Sequence, residues 1–186
     1  MIELKVRDLS VSYGELAVLK GFSYDFTPAG CYALMGESGI GKTTLLHTLA
    51  GLIKPRSGDI GGFKAVKCAV LFQEDRLLNH LTAIENVALV SDKKAAEKWL
   101  TALGLSEKLH EHPTELSGGQ RRRVAMARCL AFGGDVLLLD EPFTGLDEET
   151  RANACRLIAE NFPRVILSTH DREEARLLGA AIVNMD

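Results

Sequence analysis

The chain has 186 residues, 46% hydrophobic and 25% charged, with a formal net charge of −3. That length suits one well-buried domain and is short for two, and the mild acidity excludes a bulk electrostatic affinity for nucleic acid or anionic lipid. No apolar run approaches the roughly eighteen residues a membrane span needs, and the charged start MIELKVRD lacks a secretory signal's apolar stretch, so a cytoplasmic protein is expected.

In chain order, strand patterns come first at 2–6 and 17–26. With no helical interval between them, they are expected to form a small antiparallel layer beside the main sheet. A buried strand follows at 32–35, then the glycine-rich GESGIGKTT and a helix over 42–51 with Leu45, Leu46 and Leu49 on one side. The segment IKPRSGDIGG reads as a turn-rich connection, with Pro55 stopping that helix. After a strand at 68–72, residues 77–132 are helical in pattern, with helices at 97–103 and 118–132 and no convincing strand. This stretch is expected to be an inserted helical subdomain, leaving the core at 1–76 and 133–186. The pattern then alternates: strand 136–139, helix 148–160, strand 165–167, helix 172–178, strand 181–183. Alternation of this kind predicts an α/β fold built on a mixed or parallel sheet. Cys31, Cys68, Cys129 and Cys155 are dispersed without a C-x-x-C pair, which favours reduced thiols.

Residues Gly36, Glu37, Ser38, Gly39, Ile40, Gly41, Lys42, Thr43 and Thr44 carry the G-x-x-x-x-G-K-[ST] pattern between a strand and a helix. Glycines let the loop curl so that backbone N–H groups converge on a phosphate, and a lysine adds a mobile cation. Thr43 offers a hydroxyl to Mg²⁺. This is the signature of a P-loop nucleotide-binding core, with a nucleoside triphosphate and Mg²⁺ as its expected ligands. Downstream, GGDVLLLDEP is an apolar strand ending in Asp140, a second Mg²⁺ ligand, with Glu141 next to it. A carboxylate at that turn can face the terminal phosphate and deprotonate an attacking water.

A second anion-binding feature lies far from the first. Ser117, Gly118 and Gly119 open the helix at 118–132, and Ser117 is a good N-cap. Capping alone does not explain two glycines, each costing about 1 kcal/mol relative to alanine, unless the backbone must approach a ligand. If this mouth and Lys42 cannot reach one nucleotide within a single chain, the mouth serves the nucleotide of another copy. Arg121, Arg122 and Arg123 fan about 100° apart on a helix, so they form no single basic face for nucleic acid. They are expected to make a positive helix start near the partner copy's triphosphate. The HEH at 110–112 has metal-chelating spacing but reads as a loop without further clustered ligands.

LSGGQ at 116–120 completes a set of motifs that resembles the ATP-binding cassette proteins in residue type and in order. The resemblance implies further roles. Tyr13, in SYG, is similar to the aromatic residue that stacks on adenine. Gln73, in VLFQEDRLL, matches the glutamine that senses Mg²⁺ and the attacking water. Asp140 and Glu141 match the metal-binding aspartate and catalytic glutamate. Gln120 closes the signature, Asp147 in TGLD resembles a dimer-contact loop, and His170 in STHDREEA resembles the histidine at the γ-phosphate.

The stretch FQEDRLLNHLTAIENVAL resembles bacterial importer ATPases for nitrate, sulfonates or taurine. The implied partners are a second copy or a paired cassette subunit, transmembrane permease subunits and, for an importer, a solute-binding protein. The protein would then sit on the inner face of the membrane through the permease, with no nucleic-acid partner. Asn79-His80 stands where those importers commonly have Pro-Trp, and the sequence ends soon after His170 without their additional C-terminal elements. Cassette motifs do not encode direction, so an exporter ATPase and a soluble cassette ATPase stay as alternatives.

Overall fold

The computed structural model describes residues 3–26 and 29–185. The first half of the chain gives β1 (Leu4–Tyr13), β2 (Leu16–Phe26), β3 (Gly30–Met35), α1 (Lys42–Leu49), β4 (Ser57–Gly61) and β5 (Cys68–Leu71). Three helices follow: α2 (Ala83–Ala88), α3 (Lys93–Ala102) and α4 (Gly118–Phe132). The chain then returns to the core with β6 (Val136–Asp140), α5 (Glu148–Asn161), β7 (Arg164–Ser168), α6 (Arg172–Leu177) and β8 (Ala181–Asn184). The strands form a three-stranded antiparallel sheet, β2-β1-β4, and a five-stranded parallel sheet, β5-β6-β7-β3-β8.

Side-chain alternation explains why the parallel sheet is covered on both faces. Leu137, Leu139, Val165, Leu167, Ala33 and Met35 point into a core shared with Leu100 of α3, Val124 and Met126 of α4, and Ile158 of α5. Their neighbours Val136, Leu138, Ile166 and Leu34 point the other way, against Leu45, Leu46 and Leu49 of α1 and the apolar side of β1. The helices α2, α3 and α4 pack on one another between β5 and β6, which is the helical insertion expected from the pattern.

Several boundaries differ from the sequence reading. β1 runs on to Tyr13 rather than ending at residue 6, through register shifts at Leu9 and Val11; Ile2 lies outside the described residues. The segment read as a turn contains β4, whose SGDIG has little strand propensity of its own. It is a strand because β1 pairs with it, Val6 opposite Ile60. Helix α2 lies inside the stretch read as helical but had no bounds of its own there, although Thr82 and Glu85 form a capping box at its start, a T-x-x-E signal present in the sequence. Helix α3 begins earlier than residue 97 because Asp92 caps it, accepting from the Ala95 N–H at 2.7 Å. Helix α1 ends at Leu49, well before Pro55, because the Leu52 N–H turns back to the His47 carbonyl at 2.9 Å.

The cysteines are free. Burial pushes the thiols of Cys129 and Cys155 up to about 12 and that of Cys68 up to about 11, so these three are neutral near pH 7. Among the described residues no helix is long and apolar enough to cross a membrane.

Leu138 is fully buried at mid-strand, whereas Leu16 is exposed at the start of β2. Leu138→Ala is expected to destabilise by about 2–5 kcal/mol, and Leu16→Ala by less than about 0.5 kcal/mol, read from urea unfolding midpoints.

Candidate functional site

The carboxyl ends of adjacent parallel strands deliver the motif residues to one region. β3 leads into Gly36, β5 into Gln73, β6 ends on Asp140 and continues to Glu141, and β7 leads to His170. Open α/β sheets bind ligands in the crevice outside the carboxyl ends of their strands.

The glycine-rich loop has little freedom in sequence. At Gly36 φ is +153° and a Cβ would stand 2.6 Å from the Met185 carbonyl oxygen; at Gly41 φ is +108° and a Cβ would stand 2.6 Å from Leu19 Cδ2. Only glycine fits either position without displacement. Gly41 is the N-cap of α1, so the unpaired amides of that helix's first turn face the loop. Lys42 Nζ folds back over the loop and donates to the carbonyls of Gly36 at 2.8 Å and Glu37 at 2.9 Å. An ammonium group has three donors, so one is left for a ligand along with the charge. Tyr13, half exposed at the end of β1, lies beside this loop with its hydroxyl 3.5 Å from Thr44 Oγ1.

Asp140 is 2% exposed at the tip of the all-apolar VLLL run. Its Oδ1 accepts from Thr43 Oγ1 at 3.1 Å and from Ser168 Oγ at 2.6 Å. Its Oδ2 is buried without a partner, one of three such side-chain atoms among the described residues. A buried, unsatisfied anionic oxygen costs on the order of 1–3 kcal/mol or more, and a cation relieves it. A carboxylate beside the Thr43 hydroxyl is a hard-oxygen donor set that fits Mg²⁺.

Glu141 breaks from strand geometry with φ +45°. The turn swings its side chain into the cleft beside Asp140, where strict alternation would have sent it to the opposite face. Its Oε2 is 3.1 Å from His170 Nδ1, with Glu141 largely shielded and His170 largely exposed. Ser168, which the sequence reading did not single out, holds both acids by donating to Asp140 and accepting from the Glu141 N–H at 2.9 Å. Behind His170, Thr169 donates to Glu174, whose carboxyl burial pushes above its ordinary range, and Asp171 pairs with Arg151 at 3.0 Å.

The resulting cleft has a volume of about 180 Å³ and is lined by Ser38, Gly39, Gly41, Lys42, Thr43, Thr44, Gln73, Asp140 and Glu141, with Val18 at its edge. Larger hollows of about 720 and 560 Å³ lie elsewhere, but neither includes Lys42, Asp140 or Glu141. None of Ser117, Gly118, Gly119, Gln120 or Asp147 lines the cleft. Ser117 caps α4 in a capping box with Gln120. Asp147 caps α5, and bonds from Thr150 hold its carboxyl below the usual range. At Gly118 a Cβ would meet nothing nearer than Arg121 Nη2 at 3.9 Å, whereas at Gly119 it would stand 2.9 Å from the Gly145 carbonyl. The second glycine is therefore required by packing within the chain, and only the first is left to a ligand-approach explanation.

The arginines also differ from expectation. Arg121 donates to the Leu116 carbonyl, Arg123 to those of Gly119, Leu103 and Gly104, and Arg122 is buried. They brace their own chain rather than forming a positive surface. In the HEH, the His112 N–H is taken by Glu115, and no group of three metal-ligating side chains occurs among the described residues.

Comparison with known proteins bears on the family and the fold. Residues 19–144 match the family described as ABC transporter. The aliphatic sulfonates import ATP-binding protein SsuB 2 of Pseudomonas syringae pv. syringae is 42% identical, over 97% of this chain and 68% of its own length. SsuB 3 of Paraburkholderia xenovorans is also 42% identical, over 99% of this chain and 77% of its own. Among solved structures, the dimeric post-hydrolysis state of the ATP-binding cassette MJ0796 bound to ADP and Pi superposes with a TM-score of 0.88 at 28% identity. That likeness covers 98% of this chain and 94% of the other.

Ser168→Ala removes one hydroxyl from two partners at once, leaving the Glu141 N–H without its acceptor and Asp140 with fewer donors. The expected cost is about 1–3 kcal/mol in unfolding free energy, measured by denaturant titration.

Proposed function

This chain belongs to the ABC transporter family, and we propose that it is the ATP-hydrolysing subunit of a bacterial importer, each of whose ATP sites is completed by a second copy or a paired subunit. The observation that carries this reading is the half-built cleft. Its volume of about 180 Å³ falls below the roughly 300 Å³ at which ligand pockets begin, yet it holds the cationic lysine and both acids. Meanwhile the glycine mouth at Ser117, exposed on another element, lies outside it. A surface from a second protomer supplies the missing cover.

In this reading Tyr13 stacks on adenine, and residues 36–44 cradle the phosphates through backbone N–H groups and Lys42. Ser117, Gly118, Gly119 and Gln120 of the facing copy cap the γ-phosphate with the positive end of α4, and Asp147 lies along the same contact. Thr43 and Asp140 would hold Mg²⁺, with Gln73 as a further ligand; when bound, the ion neutralises charge on the β- and γ-phosphate oxygens. Glu141 accepts a proton from water as the water oxygen bonds to the γ-phosphorus and the bond to ADP breaks. His170, 3.1 Å from that carboxylate, orients it and meets the γ-phosphate. Release of ADP and phosphate lets the two copies part.

The chain is proposed as a single ATPase unit, with its helical subdomain at about 77–132. The exposed apolar side chains Leu78, Leu89 and Val90 of that subdomain, together with the Gln73 loop, suit docking of a permease helix at the membrane's inner face. The names of the 42%-identical relatives support an aliphatic sulfonate or similar organic anion as cargo, brought by a solute-binding protein.

Hydrolysis by the isolated chain is expected to rise with protein concentration. Glu141→Gln with ATP should elute as a dimer on size-exclusion chromatography with light scattering; a monomer at every concentration would rule out the shared site. Lys42→Ala should bind ATP about ten- to a hundredfold more weakly by equilibrium dialysis, as expected for a lost charge-assisted contact.

A further inference from the structure

Arg122 stands in the second turn of α4 and is 4% exposed. A guanidinium has five N–H donors in a rigid plane and stays charged even when buried. Here they are divided between two loops. Toward the first, Nη1 donates to the carbonyls of Phe72 at 2.7 Å and Gln73 at 3.2 Å, and meets Asp75 Oδ1 at 3.3 Å. Toward the second, Nη2 donates to the carbonyls of Asp140 at 2.8 Å and Glu141 at 2.9 Å, and Nε to that of Pro142 at 3.0 Å.

Two features raise this above ordinary core satisfaction. Glu141 sits in the left-handed region, a conformation that costs about 1–3 kcal/mol and persists only where neighbours hold it. Its N–H is held by Ser168 and its carbonyl by Arg122, so both peptide planes flanking its Cα are fixed, and with them the direction of the side chain. In addition, Arg128, further along α4, donates to the carbonyls of Asp75 and Arg76. The loop over 72–76 is thus fastened to α4 by two arginines, and only Arg122 reaches on from that loop to residues 140–142.

We propose that Arg122 is a positioning residue for hydrolysis: it sets the Glu141 carboxylate and ties its position to the Gln73 loop and to the seating of α4. Displacement of the helical subdomain then withdraws the carboxylate from its working direction. The inference rests on the hydrolytic reading above. It separates Arg122 from its neighbours in RRR, which brace only the helical subdomain.

The test compares Arg122→Lys and Arg122→Ala with Arg128→Gln and the unaltered chain, measuring kcat, KM, ATP affinity and Tm. A lysine keeps the charge but lacks the planar fork that spans both loops. Arg122→Lys is expected to lose about a hundredfold in kcat, with KM and ATP affinity changed by no more than about twofold. Millimolar guanidinium should restore at least about a tenth of the lost rate to Arg122→Ala and nothing to Arg128→Gln, which loses no contact at 140–142. Normal kcat in Arg122→Lys, or loss that merely tracks the unfolded fraction, overturns the proposal. So does a folded Arg122→Ala without rescue; should that variant not fold, the lysine variant decides. An unaltered chain that hydrolyses no ATP would instead overturn the hydrolytic reading and this inference with it.

Discussion

A single carboxylate, Asp140, placed at the buried end of an apolar strand, sets the terms for the rest of the site. Four leucine and valine side chains in VLLL bury both faces of β6, and the next residue is charged and still only 2% exposed. Such a group is tolerated only where hydrogen bonds and a cation offset its desolvation. Two neighbouring elements meet that need: α1 brings the Thr43 hydroxyl and β7 brings Ser168. The parallel order β6-β7-β3 makes this possible, since it ends these strands at one edge with the glycine-rich loop. Asp140 Oδ2 is left over, and its lack of a partner, on a carboxylate whose other oxygen meets Thr43, is the strongest physical argument for a divalent ion.

The second acid follows from the first by a change of conformation rather than of sequence position. Pleating places consecutive strand residues on opposite faces, so two adjacent acids cannot both reach one cleft from a regular strand. The left-handed turn at Glu141 solves this, at a local cost that its neighbours must hold in check. Ser168 serves both residues, its Oγ donating to one and accepting from the other. Arg122 closes the far side by taking three successive carbonyls, 140 to 142. Position and strain are therefore distributed over three elements: β6, which ends on Asp140, and β7 and α4, which bond to the backbone or side chains of residues 140–142.

Much of this was legible in the sequence, for stated reasons. The glycine-rich loop and VLLLDE announce themselves because each needs particular residue types at fixed spacing. Layering was legible because 2-residue and 3.6-residue periodicities differ. What escaped detection depends on partners. β4 is a strand only because β1 offers it hydrogen bonds, and SGDIG carries no pattern of its own. Helix α2, by contrast, had its T-x-x-E cap in plain view, and its six residues were simply too few for a periodicity to register. Ser168 and Arg122 lacked any local mark. A serine at a strand end looks like any solvent-facing polar residue, and the middle arginine of three reads with its neighbours as a positive helix start until the fold surrounds it.

The two glycines of LSGGQ show how structure refines an argument from propensity. Both weaken the start of α4, and a ligand was expected to account for both. Gly119 is explained without one: the helix start packs so closely on the Gly145 carbonyl that any side chain would collide with it. Gly118 has no such neighbour, and Ser117 beside it is exposed, so the unexplained opening has shrunk to the outermost residues of the cap. That is where a triphosphate held by another copy would have to arrive. The same packing fixes the cap to residue 145, two positions before Asp147 starts α5, so the mouth and the loop after Glu141 form one surface. If a second copy docks there as proposed, its contact with the mouth would bear, through Arg122 at the root of α4, on the backbone of residues 140–142. On that reading, completion of the site and the aim of Glu141 would come from one contact.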